Sequence, residues 1–196
     1  MQDEPDRNVP ASLDAIVEDT ARLGFDMASE PRTGALLGVL AASRPGGRLL
    51  ELGTGTGIST AWLLSGMDGQ STLLSIDRDP QAQQIAKTHL GGDPRLELVC
   101  ADAAGWLAEN RRQLFDLVFA DAWPGKFSQL ELALGLLKKG GIYVIDDLLP
   151  QQSWPEGHAP RVPELVDRIE EMPGFATLRM AWASGLMLVV RQGPRK

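Results

Sequence analysis

The sequence predicts an open, doubly wound α/β sheet of seven strands, mostly parallel, with helices on both faces and an antiparallel hairpin at the C-terminal end. Three observations predict it. From Arg48 onward, short apolar runs alternate with longer amphipathic segments, and parallel strands need crossover helices of that kind. The first run passes straight into three alternating glycines, Gly53, Gly55 and Gly57, and then into a helical segment. The last two apolar runs are joined by Ser184-Gly185, a turn-forming pair.

Composition agrees and removes other classes. The 196 residues suit one domain, and 43% hydrophobic with 23% charged residues is ordinary for a globular chain. Nineteen Lys+Arg against 26 Asp+Glu give a net charge of −7, which disfavours a phosphate-backbone partner. Cys100 is the one cysteine, so no disulfide forms within the chain and no Cys-rich zinc site is possible. No apolar run reaches the ~18 residues of a membrane span. The polar start, Met1 to Pro10, lacks the apolar core of a signal peptide. A cytoplasmic enzyme or binding protein is expected, with no nucleic-acid or membrane partner.

Residues 1–10 read as a tail. Leu13, Ile16, Val17 and Leu23 follow with helical spacing, with Ser12 as N-cap. A second helix starts near Pro31, carries Leu36, Leu37, Val39 and Leu40, and ends at Pro45-Gly46-Gly47. Strands are expected over residues 48–52, 71–76, 96–100, 115–120 and 141–145, with helices between them over about 59–65, 80–90, 103–111 and 127–137. A Pro-rich loop spans 148–163, a helix 164–172, and the closing hairpin uses 175–182 and 186–191. The whole chain, 1–196, is one domain: tail and cap helices over 1–45, sheet core over 46–196.

The run Leu49-Leu50-Glu51-Leu52-Gly53-Thr54-Gly55-Thr56-Gly57-Ile58-Ser59-Thr60 carries the strongest signal. Glycine permits positive φ and close backbone approach, and the helix start offers free N–H groups to an anion. A dinucleotide fingerprint would place a glycine at position 58, where Ile58 stands. The alternative is a tight turn with no ligand.

Here the chain resembles the class I S-adenosylmethionine-dependent methyltransferases, in detail the small O-methyltransferases related to catechol O-methyltransferase. The resemblance covers about Pro31 to the C-terminus, and more loosely the two cap helices. It implies a Rossmann-like core that binds S-adenosylmethionine along Glu51, Gly53, Thr54, Gly55 and Gly57, with Ser59 on the carboxylate. Asp77 ends the second strand, where a carboxylate can accept both ribose hydroxyls; Asp79, before Pro80, fits the helix N-cap better. Asp102 is either a helix N-cap or, as the resemblance implies, the acceptor for the adenine amino group with Ala103 beside it. Cys100 reads as a buried small hydrophobe.

Asp121 ends the fourth strand, on the side where open α/β sheets bind ligands. The following Ala122-Trp123-Pro124 departs from the Asn/Asp-Pro-Pro-aromatic run of base and glutamine N-methyltransferases. Trp123 either packs in the core or, by resemblance, lies on the adenine. Asp146 and Asp147 end the fifth strand, and with Asp121 they supply hard oxygens suited to Mg²⁺ or another divalent cation. In the resembled family an Asp and an Asp-Asn pair hold such a metal; here the Asn position is Asp147. The family's lysine position is Pro124 here, and Lys126 is either a base from a shifted loop or a surface lysine. The loop from Leu149 to His158 is placed as a lid, with Trp154 to stack on an aromatic substrate and His158 as base, extra ligand or solvated side chain.

The expected reaction is methyl transfer from S-adenosylmethionine to an oxygen of a small, aromatic or phenolic acceptor. Asp121, Lys126 and His158 are the candidate catalytic groups, and a homodimer is one arrangement open to the chain. Two other readings stand beside it: a nicotinamide oxidoreductase of similar fold, which Ile58 disfavours, and a non-catalytic S-adenosylmethionine-binding module.

Overall fold

The computed structural model describes residues 9–193, so most of the expected tail lies outside the described residues. Inside the sheet, third from one edge, is β1 (Arg48–Leu52), whose Leu49, Leu50 and Leu52 are buried. Strands β2 (Thr72–Asp77) and β4 (Phe115–Ala120) pair with it in parallel on its two sides. β3 (Leu96–Cys100) forms one edge beyond β2, and β5 (Leu137–Ile145) lies beyond β4. β6 (Phe175–Met180) and β7 (Leu186–Arg191) make the hairpin, with β7 antiparallel to both β5 and β6. The order is β3-β2-β1-β4-β5-β7-β6, so six strands run one way and β7 opposes them.

The two-residue pleat divides the core between two layers. Leu50, Leu52, Val118, Tyr143 and Ile145 face one layer, with α5 (Ala103–Glu109), α6 (Leu130–Gly135) and α7 (His158–Glu170). Leu49, Leu117, Phe119 and Val144 face the other, with α1 (Leu13–Leu23), α2 (Pro31–Ala42), α3 (Ile58–Gly66) and α4 (Pro80–Leu90). α2 and α3 cross at contact distance because small residues meet there. A Cβ at Gly66 would lie 1.9 Å from the Gly38 carbonyl oxygen, and one at Gly34 2.2 Å from the Trp62 ring. The link between α1 and α2, residues 24–30, reaches over the C-terminal ends of the strands.

Several local expectations shift. Ser12 precedes α1 but makes no side-chain cap. The expected helix over 127–137 shortens to Leu130–Gly135, because residues 123–128 fold into a tight loop and β5 already begins at Leu137. The segment before residue 164 is helical from His158 onward. Pro160 sits in the first turn, where its missing N–H is no loss, and the buried stripe Val162, Leu165, Val166 and Ile169 offsets the bond that Pro163 forfeits. Cys100 is exposed, not buried, because β3 is an edge strand. No described helix is long and apolar enough to cross a membrane.

Candidate active site

The sheet reverses its strand order between β1 and β4, and a cavity of about 600 Å³ opens there at the C-terminal strand ends. Three turns build it. The first follows β1. Gly53, Gly55 and Gly57 all adopt positive φ, at 105°, 51° and 97°. Their reasons differ. A Cβ at Gly53 would lie 2.8 Å from the Asp121 carbonyl oxygen, and one at Gly57 2.8 Å from the Ala86 side chain. Gly53, Thr54 and Gly55 line the cavity with Ser59; Gly57 is not among the lining residues and serves helix packing instead.

Glu51 also departs from expectation. It is fully buried beneath the turn and is absent from the cavity lining. Its Oε2 accepts from Thr60 Oγ1 and Ser75 Oγ, each at 2.5 Å. Burial pushes its pKa up to about 7 against the hydroxyl donors that favour the anion. Its place is to brace the start of α3 from below.

The second turn follows β2. Asp77 lines the cavity, and its carboxylate accepts from the Gly55 N–H at 2.7 Å and the Asp79 N–H at 2.8 Å. The same group therefore tethers the glycine turn and faces the ligand space. Asp79 caps α4 by accepting from the N–H of Gln81 and Ala82. Asp102 caps α5, accepting from Ala104 and Gly105 N–H at 3.3 Å each, and it also lines the cavity with Ala103. The volume, the carboxylate pair Asp77 and Asp102, and the glycine cradle fit a nucleoside cofactor such as S-adenosylmethionine.

The third turn brings the acceptor-side residues together. Asp121 and Trp123 line the cavity; Trp123 is 36% exposed and meets Phe127 edge to face. Asp146, Asp147, Lys126 and His158 are absent from that lining and lie behind Asp121. Lys126 is not a surface lysine: it is 2% exposed, with Nζ 3.4 Å from Asp121 Oδ1 and 3.3 Å from the Asp146 carbonyl oxygen. Burial raises the Asp121 pKa well above the usual carboxylate range; Lys126 opposes this, and Asp146 and Asp147 add to it. Asp146 is pushed up to about 6 by burial, although Ser184 Oγ donates to it. Asp147 adopts φ 62°, a region an Asp tolerates better than most side chains.

His158 is buried rather than solvated. Its Nε2 lies 3.1 Å from the Asp147 carbonyl oxygen, and its ring stacks on Trp154 at 4.3 Å. Burial lowers its pKa. Trp154 is thereby engaged with the protein, and Pro155 is the part of the expected lid that lines the cavity.

The three acids do not fit a divalent cation as they stand. Lys126 Nζ stands between two of them, 3.4 Å from Asp121 Oδ1 and 4.0 Å from Asp147 Oδ2. Asp146 Oδ1 is occupied by Ser184 and the Asp147 N–H. No group of three or more His, Cys, Asp or Glu disposed to hold a metal occurs among the described residues.

Sequence reasoning missed the link between α1 and α2. Phe25, Met27 and Ser29 line the cavity, and Ser29 Oγ donates to Asp121 Oδ2 at 3.2 Å. Gly24, in the left-handed region after α1, was the available signal that the chain turns there. Ser184 was legible only as a turn residue.

Residues 50–148 match the model of a family described as a methyltransferase domain. A protein of Mycobacterium sp. (strain KMS), named by inference as an O-methyltransferase, is 39% identical over 142 residues, covering 68% of this chain and 64% of that one. The chain thus spans under two thirds of that relative's length. A Mycolicibacterium smegmatis (strain ATCC 700084 / mc(2)155) protein, also named by inference as an O-methyltransferase, is 38% identical over 142 residues, 68% of each chain. Among solved structures, the O-methyltransferase TomG from Streptomyces achromogenes, in complex with S-adenosylmethionine, shares the fold. Its TM-score is 0.79 and its identity 22%, with 93% of this chain and 90% of that one covered.

Proposed function

The chain belongs to the methyltransferase-domain family, and from that membership we propose that it transfers the methyl group of S-adenosylmethionine to an oxygen of a small aromatic or phenolic acceptor. One observation carries the reading: a single cavity runs from the Asp77 carboxylate to the Asp121 carboxylate across the strand-order reversal. Asp77 would hold the ribose hydroxyls. Asp102, Ala103 and Trp123 would hold the adenine. Ser59 and the free N–H groups opening α3 would hold the carboxylate, with Gly53, Thr54 and Gly55 passing alongside.

When bound, the cofactor supplies an electrophilic methyl group whose leaving group is a neutral thioether, so no acid is needed. What remains for the protein is positioning and removal of the acceptor's proton. Asp121 is the proton acceptor we assign, because it is the one carboxylate of the acceptor-side three that lines the cavity. Ser29 and Lys126 hold its two oxygens in place. Lys126 and His158 act through other residues and are positioning residues. Phe25 and Met27 give the cavity an apolar wall suited to an aromatic body.

Transfer of a labelled methyl group from S-adenosylmethionine to a panel of simple phenols tests this. Labelled ether product is expected from the wild type, and its loss with cofactor affinity retained is expected in Asp121→Asn. Cofactor binding with no labelled product on any phenol would favour the non-catalytic module.

A further inference from the structure

Lys126 is the buried charge that packing explains least. An ammonium 2% exposed is removed from water, and such a group persists only where opposite charge and hydrogen bonds surround it. The loop that carries it is built to turn it inward. The Trp123 carbonyl oxygen accepts the N–H groups of Lys126, Phe127 and Ser128 at 3.1, 2.9 and 3.2 Å. Gly125 takes φ 93° and donates to the Ser128 carbonyl oxygen at 2.7 Å. Tyr143 Oη donates to the Gly125 carbonyl oxygen at 2.8 Å, and a Cβ at Gly125 would fall 2.6 Å from Leu52 Cδ1. Backbone, a buried phenol and a strand side chain therefore fix the loop, and the lysine points into the acids.

Its Nζ sits between oxygens from both strand ends. Asp121 Oδ1 comes from the end of β4 at 3.4 Å; the Asp146 carbonyl oxygen and Asp147 Oδ2 come from the end of β5 at 3.3 and 4.0 Å. Two of them, Asp121 Oδ1 and Asp147 Oδ2, are carboxylate oxygens that a divalent ion in this cluster would draw on. Mg²⁺ demands oxygen ligands at about 2.1 Å in near-octahedral array, so an ion seated there would lie beside a fixed positive charge. Ser184 Oγ donates to Asp146 Oδ1 and is itself 3.3 Å from Thr33 Oγ1, which leaves Asp146 less free to turn toward an ion.

We propose that Lys126 is a built-in cation that takes the place of a divalent metal in the Asp121–Asp146–Asp147 cluster, so that this chain works without one. The cation half of the proposal stands on the side-chain geometry alone. That the chain acts without a metal rests on the methyl-transfer reading, and the closing experiment separates the two.

Mn²⁺ titrated into the whole protein and followed by electron paramagnetic resonance reads binding without any turnover. The wild type is expected to leave the free-ion signal undiminished. Lys126→Met removes the charge and keeps most of the side chain's length, and it is expected to take up one equivalent of Mn²⁺. Asp121→Asn added to that variant is expected to abolish the uptake. Uptake of one equivalent by the wild type, lost in Asp146→Asn, would overturn the proposal. So would a Lys126→Met protein that melts cooperatively yet takes up no Mn²⁺, since the acids would then form no latent cation site. If Lys126→Met fails to fold, Lys126→Gln serves in its place and is held to the same two outcomes. Absence of methyl transfer would count against the functional reading and leave the Mn²⁺ result standing.

Discussion

The two ends of the cavity are built by different physics. At the Asp77 end, backbone dominates: positive-φ glycines, helix N-termini, and carboxylates whose first partners are N–H groups. At the Asp121 end, side-chain charges dominate: three acids, a buried lysine, and hydroxyls from Ser29 and Ser184. The first end is assembled from three strand-end turns, after β1, β2 and β3, the second from the ends of β4 and β5, the link before α2, the start of α7 and the hairpin turn. Within each turn of the first end the demands on φ and capping are local, whereas the second end depends on side chains from five segments.

The largest expected effect lies at the backbone end. Gly55→Val forces a β-branched residue to φ 51° and crowds Phe25, whose ring is 3.3 Å from the added Cβ. S-adenosylmethionine binding is expected to vanish in calorimetry, with folding retained by circular dichroism. Normal affinity in that variant would break the backbone account of this end.

Next, Lys126→Ala leaves buried acids without their cation. A loss of about 3–5 kcal/mol is expected in denaturant unfolding, as for a buried pair stripped of one partner. The loss is expected to grow with pH, because Lys126 opposes the upward shift of Asp121 and its removal favours the protonated carboxyl. A loss that is small and flat with pH would mean that the charge cluster is not what holds this end.

Glu51 gives an effect of about 3 kcal/mol spread over pH. Its pKa is about 7 in the folded chain against an ordinary 4.5. The group is raised, so its contribution is most favourable where it is protonated in both states, below about 4.5, and is lost as pH climbs to about 7. Glu51→Gln is therefore expected to fall less in stability than the wild type between those limits. Equal slopes would show that Glu51 is ionised in place.

The smallest effect tests the double role of Asp102. Asp102→Ala is expected to cost about 1 kcal/mol of stability, the usual worth of an N-cap, together with a measurable loss of cofactor affinity. Loss of stability alone would reduce it to a cap.

The same contrast decides what was legible in the sequence. The strand, glycine turn and helix from Leu49 to Thr60 appear where the spacing puts them, because φ and capping demands act within a few residues. Asp79 as cap of α4 was legible for the same reason. The inward turn of Lys126 was not, since it depends on a Tyr143 hydroxyl that bonds Gly125 from 18 residues away in sequence. Nor was the burial of His158, because Pro160 and Pro163 signal loop locally while a stripe of aliphatic residues makes the segment helical. Glu51 looked like a ligand because it sits beside the glycines, yet strand alternation turns it into the interior.

The most direct measurement of the central claim is calorimetric titration of the wild type and Asp77→Ala with S-adenosylmethionine, and of the wild type with NAD. The account predicts saturable binding of S-adenosylmethionine, none of NAD, and a loss of roughly 1.5–3 kcal/mol in Asp77→Ala, the scale of hydrogen bonds to a charged group. NAD binding, or unchanged S-adenosylmethionine affinity without the Asp77 carboxylate, would contradict it.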